Sequence, residues 1–222
     1  MGVFSRNDIA VDLGTSNTIV RDREGKVIFC EATCIALENK YDPVRVICMG
    51  NEAKRMIGRN PCEIDVVNPL HNGVISDFKT AKIFMNLLIE LAKGDSFAPR
   101  VGISIPHNLT QVERYSLYEA TMVAGAKEVL LIEDPFSASV GIGLDIGSSR
   151  ARMIIDAGGG VVEVSVIALG GLVASAFTKE AGDFIDCSLM EYCRHNKNIG
   201  ISKETAEIIK KLIYIFGDNP FI

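Results

Sequence analysis

The chain has 222 residues, 48% of them hydrophobic, with 23 Lys and Arg against 28 Asp and Glu for a formal net charge of -5. That composition supports a soluble chain with a substantial buried core, arranged as one large domain or two smaller ones. Its basic residues are scattered and form no stripe that could neutralise a phosphate backbone, which argues against a nucleic-acid partner.

Met1 to Asp8 lacks the charged and apolar regions of a secretory signal, and Arg6 stands where a myristoylation pattern needs Ser or Thr. Strands are predicted through residues 9–37, around Ile9, Ile19, Val27 and Ile35, with turns at Asp12-Leu-Gly14 and Arg23-Glu-Gly25. The stretch 38–75 is less regular. It reads as an insertion hanging from the first sheet, with a strand over 44–49, a small helix over 52–57 and a turn at His71-Asn72-Gly73.

From Asp77 the apolar period becomes helical, through Ala81, Phe84, Met85, Leu88, Leu91 and Ala92, with Gly94 as the stop. A strand over 101–105 ends at Pro106, and Thr110-Gln-Val-Glu113 is a capping box opening a helix that closes near Gly125. A strand over 129–132 leads to a helix starting at Pro135 and running through Gly143. Strand and helix alternating after an antiparallel opening predict a mixed sheet covered by helices. After a linker over 145–152, strands return through Phe177, followed by helices over 183–195 and 202–216. Ser202 caps the second helix and Gly217 stops it. No apolar run approaches the roughly 20 residues of a spanning helix.

Two segments nearly repeat: Ile9-Ala-Val-Asp-Leu-Gly-Thr-Ser-Asn-Thr-Ile-Val20 and Met153-Ile-Ile-Asp-Ala-Gly-Gly-Gly-Val-Val-Glu-Val164. Each reads as a buried strand, an Asp-x-Gly turn and a second strand. Their aspartates, 12 and 156, lie 144 residues apart, a spacing suited to domain duplication and too long for a solenoid. A single Asp-x-Gly hairpin is most often only a turn. A matched pair is what gripping one polyphosphate from two sides requires: glycine lets the backbone approach and its N–H groups make the contacts. Thr15, Ser16 and Asn17 can add donors on one side, and Gly158-Gly159-Gly160 opens the other. Asp12 and Asp156 would repel phosphate unless a cation lay between, which implies hydrated Mg²⁺.

Competing phosphate motifs fail. Val20 stands where a P-loop ending at Gly25-Lys26 needs its first glycine, and Gly158-Gly-Gly160 leads into strand residues where a dinucleotide fingerprint opens a helix. The cysteines at 30, 34, 48, 62, 187 and 193 form no Cys-x-x-Cys pair, and His71, His107 and His195 are dispersed. Reduced thiols are expected, with no His or Cys metal site.

The chain resembles the MreB family of bacterial actin-like cytoskeletal proteins. Besides the hairpins, the resemblance rests on Met56-Ile-Gly-Arg-Asn-Pro61, Gly73-Val-Ile-Ser-Asp-Phe78, Thr110-Gln-Val-Glu-Arg114, Ala124-Gly-Ala-Lys-Glu-Val129, Ile132-Glu-Asp-Pro135 and Gly182-Asp183, and runs from about Ile9 to Lys210. It implies an α/β actin-like ATPase fold: ribonuclease H-like duplicated lobes, each a mixed sheet flanked by helices. Residues 1–145 would form the first lobe, with an insertion over about 30–75, and 146–222 an incomplete second lobe. It further implies ATP and Mg²⁺ in the cleft, with Asp12 and Asp156 on the magnesium side, Gly14, Thr15, Ser16 and Asn17 as one phosphate loop, and Gly158, Gly159 and Gly160 as the other. Glu207 and Lys210 match the family's Glu-x-x-Lys contact to adenosine. Taken alone, that pair reads as a solvated i,i+3 ion pair.

The family's water-orienting glutamate corresponds to Asp134, with Glu133 beside it as a second candidate. A carboxylate one methylene shorter displaces that water by about 1 Å, on the order of 10²-fold in rate. Val161 and Val162 replace two threonines and remove hydroxyls from the second loop. The resemblance thus implies a weak ATPase at most.

Filaments with itself or a full-length MreB are also implied, on the inner face of the cell membrane and with the wall-synthesis machinery. Val3, Phe4 and Phe97 stand where the family touches lipid, and three such residues give weak, reversible binding. The family continues beyond Lys210, so an uncovered second lobe is expected to be unstable alone or to seek a partner. A catalytically silent module that caps a full-length partner remains the alternative reading. A sugar kinase lacks a substrate insertion and a catalytic base here.

Overall fold

The computed structural model describes residues 8–41, 43–93 and 97–217, with side chains as far as residue 213. Val3 and Phe4, and the expected stop at Gly94, lie outside the described residues.

The first sheet has five strands in the order β10-β9-β1-β2-β3. β1 (Asp8–Leu13), β2 (Asn17–Asp22) and β3 (Val27–Ala32) form the antiparallel opening, and β9 (Arg100–Ile105) and β10 (Glu128–Glu133) add in parallel beside β1. The buried face is written in the period of two: Ile9, Val11 and Leu13 alternate with exposed or half-buried residues, as do Val101, Ile103 and Ile105. Over this face lies α2 (Phe78–Lys93), presenting Ala81, Phe84, Met85, Leu88 and Ile89 to the core. Asp77 caps it by accepting the Thr80 N–H at 2.7 Å. Next comes α3 (Gln111–Val123), where both halves of the Thr110–Glu113 capping box form.

The stretch read as irregular holds more strand than the sequence suggested. A second sheet runs β5-β4-β6, from β4 (Ile35–Glu38), β5 (Arg45–Met49) and β6 (Ile64–Val67), with α1 (Asn51–Met56) packed on it through fully buried Ala53. The predicted turn at His71-Asn72-Gly73 joins the two-residue strands β7 (Leu70–His71) and β8 (Val74–Ile75). β6 to β8 are too short to show a period, and their strand state comes from their partners.

The helix expected through Gly143 is α4 (Asp134–Gly141), opened by Pro135 at its first turn and followed by Gly143 at φ 77°. Beyond the linker a third sheet runs β11-β12-β13, from β11 (Arg152–Ala157), β12 (Val162–Ala168) and β13 (Gly171–Thr178). The linker is not loose, because its Ile146 and Ser148 carbonyls accept the N–H groups of Gly170 and Leu169 in the β12–β13 turn. Two helices close the described chain: α5 (Gly182–Lys197), ended by Asn198 in the left-handed region, and α6 (Lys203–Gly217), capped by Ser202 on the Thr205 N–H.

Candidate functional site

The two near-repeats fold alike. In the first hairpin Leu13 pairs with Thr18 and the Gly14 N–H donates to Asn17 O at 3.1 Å; in the second Ala157 pairs with Val162 and the Gly158 N–H donates to Val161 O at 2.9 Å. Both are four-residue loops at the end of a strand carrying an aspartate two residues earlier. They face each other across one cavity of about 300 Å³, lined by Gly14 to Asn17 from the first loop and Gly158 to Val161 from the second.

The loops also touch. Gly159 lies against the Ser16 side chain, and Gly160 against Thr15, with no room for a β-carbon at either glycine. None of the three glycines of this loop sits in the left-handed region, so close approach, and not a special φ, is what demands them. The second loop is anchored from behind, since the Gly158 and Gly159 carbonyls accept the N–H groups of Gly182 and Asp183 at the start of α5. Thr15 is held too: its Oγ1 accepts the Gly73 N–H at 2.8 Å and its carbonyl accepts Asn68 Nδ2 at 2.6 Å. The hydroxyl proton of Thr15 can still be donated.

Asp12, Asp134 and Asp156 line the cavity together, with Glu163 and Ser104. The last two were not singled out from sequence, but register explains both. Glu163 stands opposite Asp156 in the β11–β12 ladder, and Ser104 opposite Asp12 in β9–β1, where Ser104 Oγ donates to Asp12 Oδ1 at 3.2 Å. The signal for Glu163 was an acid among the alternating valines of Val162-Glu-Val-Ser-Val166. It is 5% exposed, accepting from Ser165 Oγ at 3.0 Å and from the His107 N–H at 3.3 Å.

Burial pushes the Asp134 carboxyl up to about 7, reinforced by the charges of Asp156, Asp12 and Glu163 and opposed by a hydrogen bond with Ser104. Asp12 is raised as well, first by burial, with Ser104 lowering it and Asp156 adding to the rise. Such crowding of carboxylates suits a divalent cation, which would offset their repulsion. Among the described residues no three His, Cys, Asp or Glu side chains form a group able to hold a metal ion. All six cysteines are free thiols.

Glu133 is not brought to the cavity. Its Oε2 lies 2.7 Å from His107 Nδ1 and its Oε1 accepts from Arg114 Nη2 at 2.9 Å. Burial would raise Glu133, but those hydrogen bonds and charges outweigh it and hold the carboxyl below its ordinary value.

Glu207 and Lys210, both on α6, line a neighbouring cavity of about 160 Å³ on the far side of Thr15 and Ser16. Each is already engaged. Glu207 pairs with Lys54 at 2.6 Å and Lys211 at 2.7 Å, and Lys210 Nζ donates to Gly182 O at 2.9 Å and lies 2.8 Å from Asp186 Oδ1. They are therefore not the solvated i,i+3 pair of the alternative reading, because each turns to a different partner.

The sequence pattern of the MreB/Mbl protein family matches residues 6–218. The chain belongs to that family. It is 37% identical over 214 residues to the cell shape-determining protein MreB of Escherichia coli strain K12, covering 94% of this chain and 61% of that protein. To the cell shape-determining protein Mbl of Bacillus subtilis strain 168 it is 35% identical over 219 residues, covering 97% and 65%. The chain thus spans less than two thirds of the length of these relatives. Among solved structures, MreB5 of Spiroplasma citri bound to ADP superposes with a TM-score of 0.87 at 32% identity, over 94% of this chain and 63% of that one. The fold is accordingly the actin-like fold of the MreB family. No helix among the described residues is long and apolar enough to cross a membrane.

Proposed function

We propose that this chain binds ATP with Mg²⁺ between its two hairpin loops and acts as an actin-like cell-shape protein. In this reading it joins filaments, with itself or with a full-length MreB, on the inner face of the cell membrane, where they direct wall synthesis. The observation that carries the nucleotide site is the pair of equivalent loops, Gly14 to Asn17 and Gly158 to Val161, closing on one cavity floored by Asp12, Asp134 and Asp156. The similar Spiroplasma protein holds ADP, which supports an adenine nucleotide as the ligand.

The phosphates would meet the loop N–H groups and the Thr15 and Ser16 hydroxyls. Asp12 and Asp156 would hold the hydrated ion, which supplies charge neutralisation at the phosphates. Asp134, on the same floor, would orient water, and Glu207 and Lys210 would border the sugar side. The lobes of this reading are residues 1–145 and 146–222. Phe97, 73% exposed, would add to lipid contact.

Mg-ATP should raise the melting temperature of the purified chain, and substitution of Asp156 by Asn should abolish the rise. Sedimentation with and without ATP tests assembly; a monomer under both conditions would contradict self-filaments. The silent capping module gains support from Asp134, Val161 and Val162, which would weaken turnover while leaving the fold intact. Binding to full-length MreB without ATPase activity would decide for it.

A further inference from the structure

Lys54 and Glu207 are 153 residues apart in sequence and 2.6 Å apart in space. Lys54 belongs to α1, which fully buried Ala53 fixes to the β4–β6 sheet, whereas Glu207 belongs to α6. Their side chains are only 32% and 23% exposed, so water screens them less than an ordinary surface pair. Burial alone would raise the Glu207 carboxyl, but hydrogen bonds from Lys211 and Lys54, aided by their charges, hold it near 2. It is ionised at every physiological pH and both its oxygens are used.

Lys210 ties the same helix to α5 by two contacts, to Gly182 O and to Asp186. Among the described side-chain pairs, α6 is therefore held to α5 by several links and to α1 by Lys54. Between them lies the cavity of about 160 Å³, below the roughly 300 Å³ at which small-molecule sites begin. For a nucleoside to fit there the walls would have to part, and among the described side-chain pairs Lys54–Glu207 is the one that joins α6 to α1.

Resting on the nucleotide reading above, we propose that Lys54 is a positioning residue for the nucleotide site: through Glu207 it latches α1 to α6 and sets how readily the sugar-side cavity opens. The phosphates lie on the other side of Thr15 and Ser16, so the latch acts on entry and exit of the nucleoside and leaves phosphate recognition to the loops.

The test is stopped-flow release of a fluorescent ADP analogue from wild type, Lys54→Met and Lys54→Arg. Lys54→Met should release it about fivefold faster, the size expected of a partly buried ion pair. Lys54→Arg, which keeps the charge, should stay near wild type, and the affinity for inorganic tripolyphosphate should be the same in all three. Equal release rates in wild type and Lys54→Met overturn the proposal. Hydrogen exchange without nucleotide separates it from the site reading. Faster exchange in α1 and α6 of Lys54→Met supports the latch even where wild type binds no ADP analogue, an outcome that would sink the nucleotide reading instead. Unchanged exchange in those helices sinks the latch.

Discussion

Gly160 lies so close to Asn72 that a β-carbon on it would stand 2.8 Å from the Asn72 α-carbon. The contact joins the second hairpin loop to the β7–β8 turn, where Asn72 itself has a positive φ of 51°. Real β-carbons do not approach backbone so closely, and an α-carbon cannot swing aside as a side-chain tip can. The cavity is therefore walled by three backbone segments, around residues 14–17, 72–73 and 158–161, each held by hydrogen bonds to another element.

Gly160→Ala should accordingly force the second loop away from Thr15 and Asn72. Overpacking of this kind costs about 1–3 kcal/mol, read as a shift in the urea midpoint at unchanged slope. The increase in melting temperature on adding Mg-ATP should shrink as well. A variant with the wild-type midpoint would show that the loops do not press on each other in solution.

Asp134 gives the fold a pH dependence of known sign. Its carboxyl titrates near 7 in the folded chain against an ordinary 3.8, so between those values the folded state binds more protons than the unfolded one. Its contribution to stability is complete below 3.8 and is lost as pH rises through 7. Without metal or nucleotide, Asp134→Asn should melt higher than wild type at pH 8, with the gap narrowing toward pH 4. A gap independent of pH would mean that the Asp134 carboxyl is neither buried nor crowded by Asp156, Asp12 and Glu163 in solution.

The parts legible in sequence were those encoded locally. The alternation in β1 and β9, the helical stripe of α2, the Thr110–Glu113 box and the doubled Asp-x-Gly turn each need only a few neighbouring residues. What escaped depends on partners distant in the chain. β6 is a strand because β4 pairs with it, and Glu163 joins the site because the ladder sets it beside Asp156. Lys54 meets Glu207 only once α1 and α6, 153 residues apart at this pair, are brought together. The glycines of the second loop stand out in the sequence as an open turn, but what requires Gly159 and Gly160 is spatial, and only the approach of Ser16, Thr15 and Asn72 reveals it.

Glu133 and Asp134 are adjacent and should respond differently to loss of charge. Glu133→Gln removes the charge and turns one of the two acceptor oxygens that hold Arg114 and His107 into an NH2 donor, and weakening such a charged hydrogen-bond network costs about 1–3 kcal/mol. The melting temperature should fall, with no reversal at alkaline pH of the kind expected for Asp134→Asn. Stabilisation by Glu133→Gln at pH 8 would place its carboxylate in the crowded cavity, contrary to its hydrogen bonds with His107 and Arg114.

Turnover supplies the last test, because Asp134 lines the cavity and, in the proposed reading, would orient water with a carboxylate one methylene shorter than a glutamate's. If reach limits the placing of water, Asp134→Glu should raise phosphate release from Mg-ATP by roughly 10- to 100-fold, the scale of a misplacement near 1 Å. The same variant must still show the Mg-ATP-induced rise in melting temperature, so that rate and binding are read separately. An Asp134→Glu chain that binds Mg-ATP yet hydrolyses no faster than wild type would shift the limit to the second loop. In the proposed reading the side chains of Val161 and Val162 offer no hydroxyl to a phosphate there, and Val161→Thr with Val162→Thr would then be the substitutions expected to raise turnover.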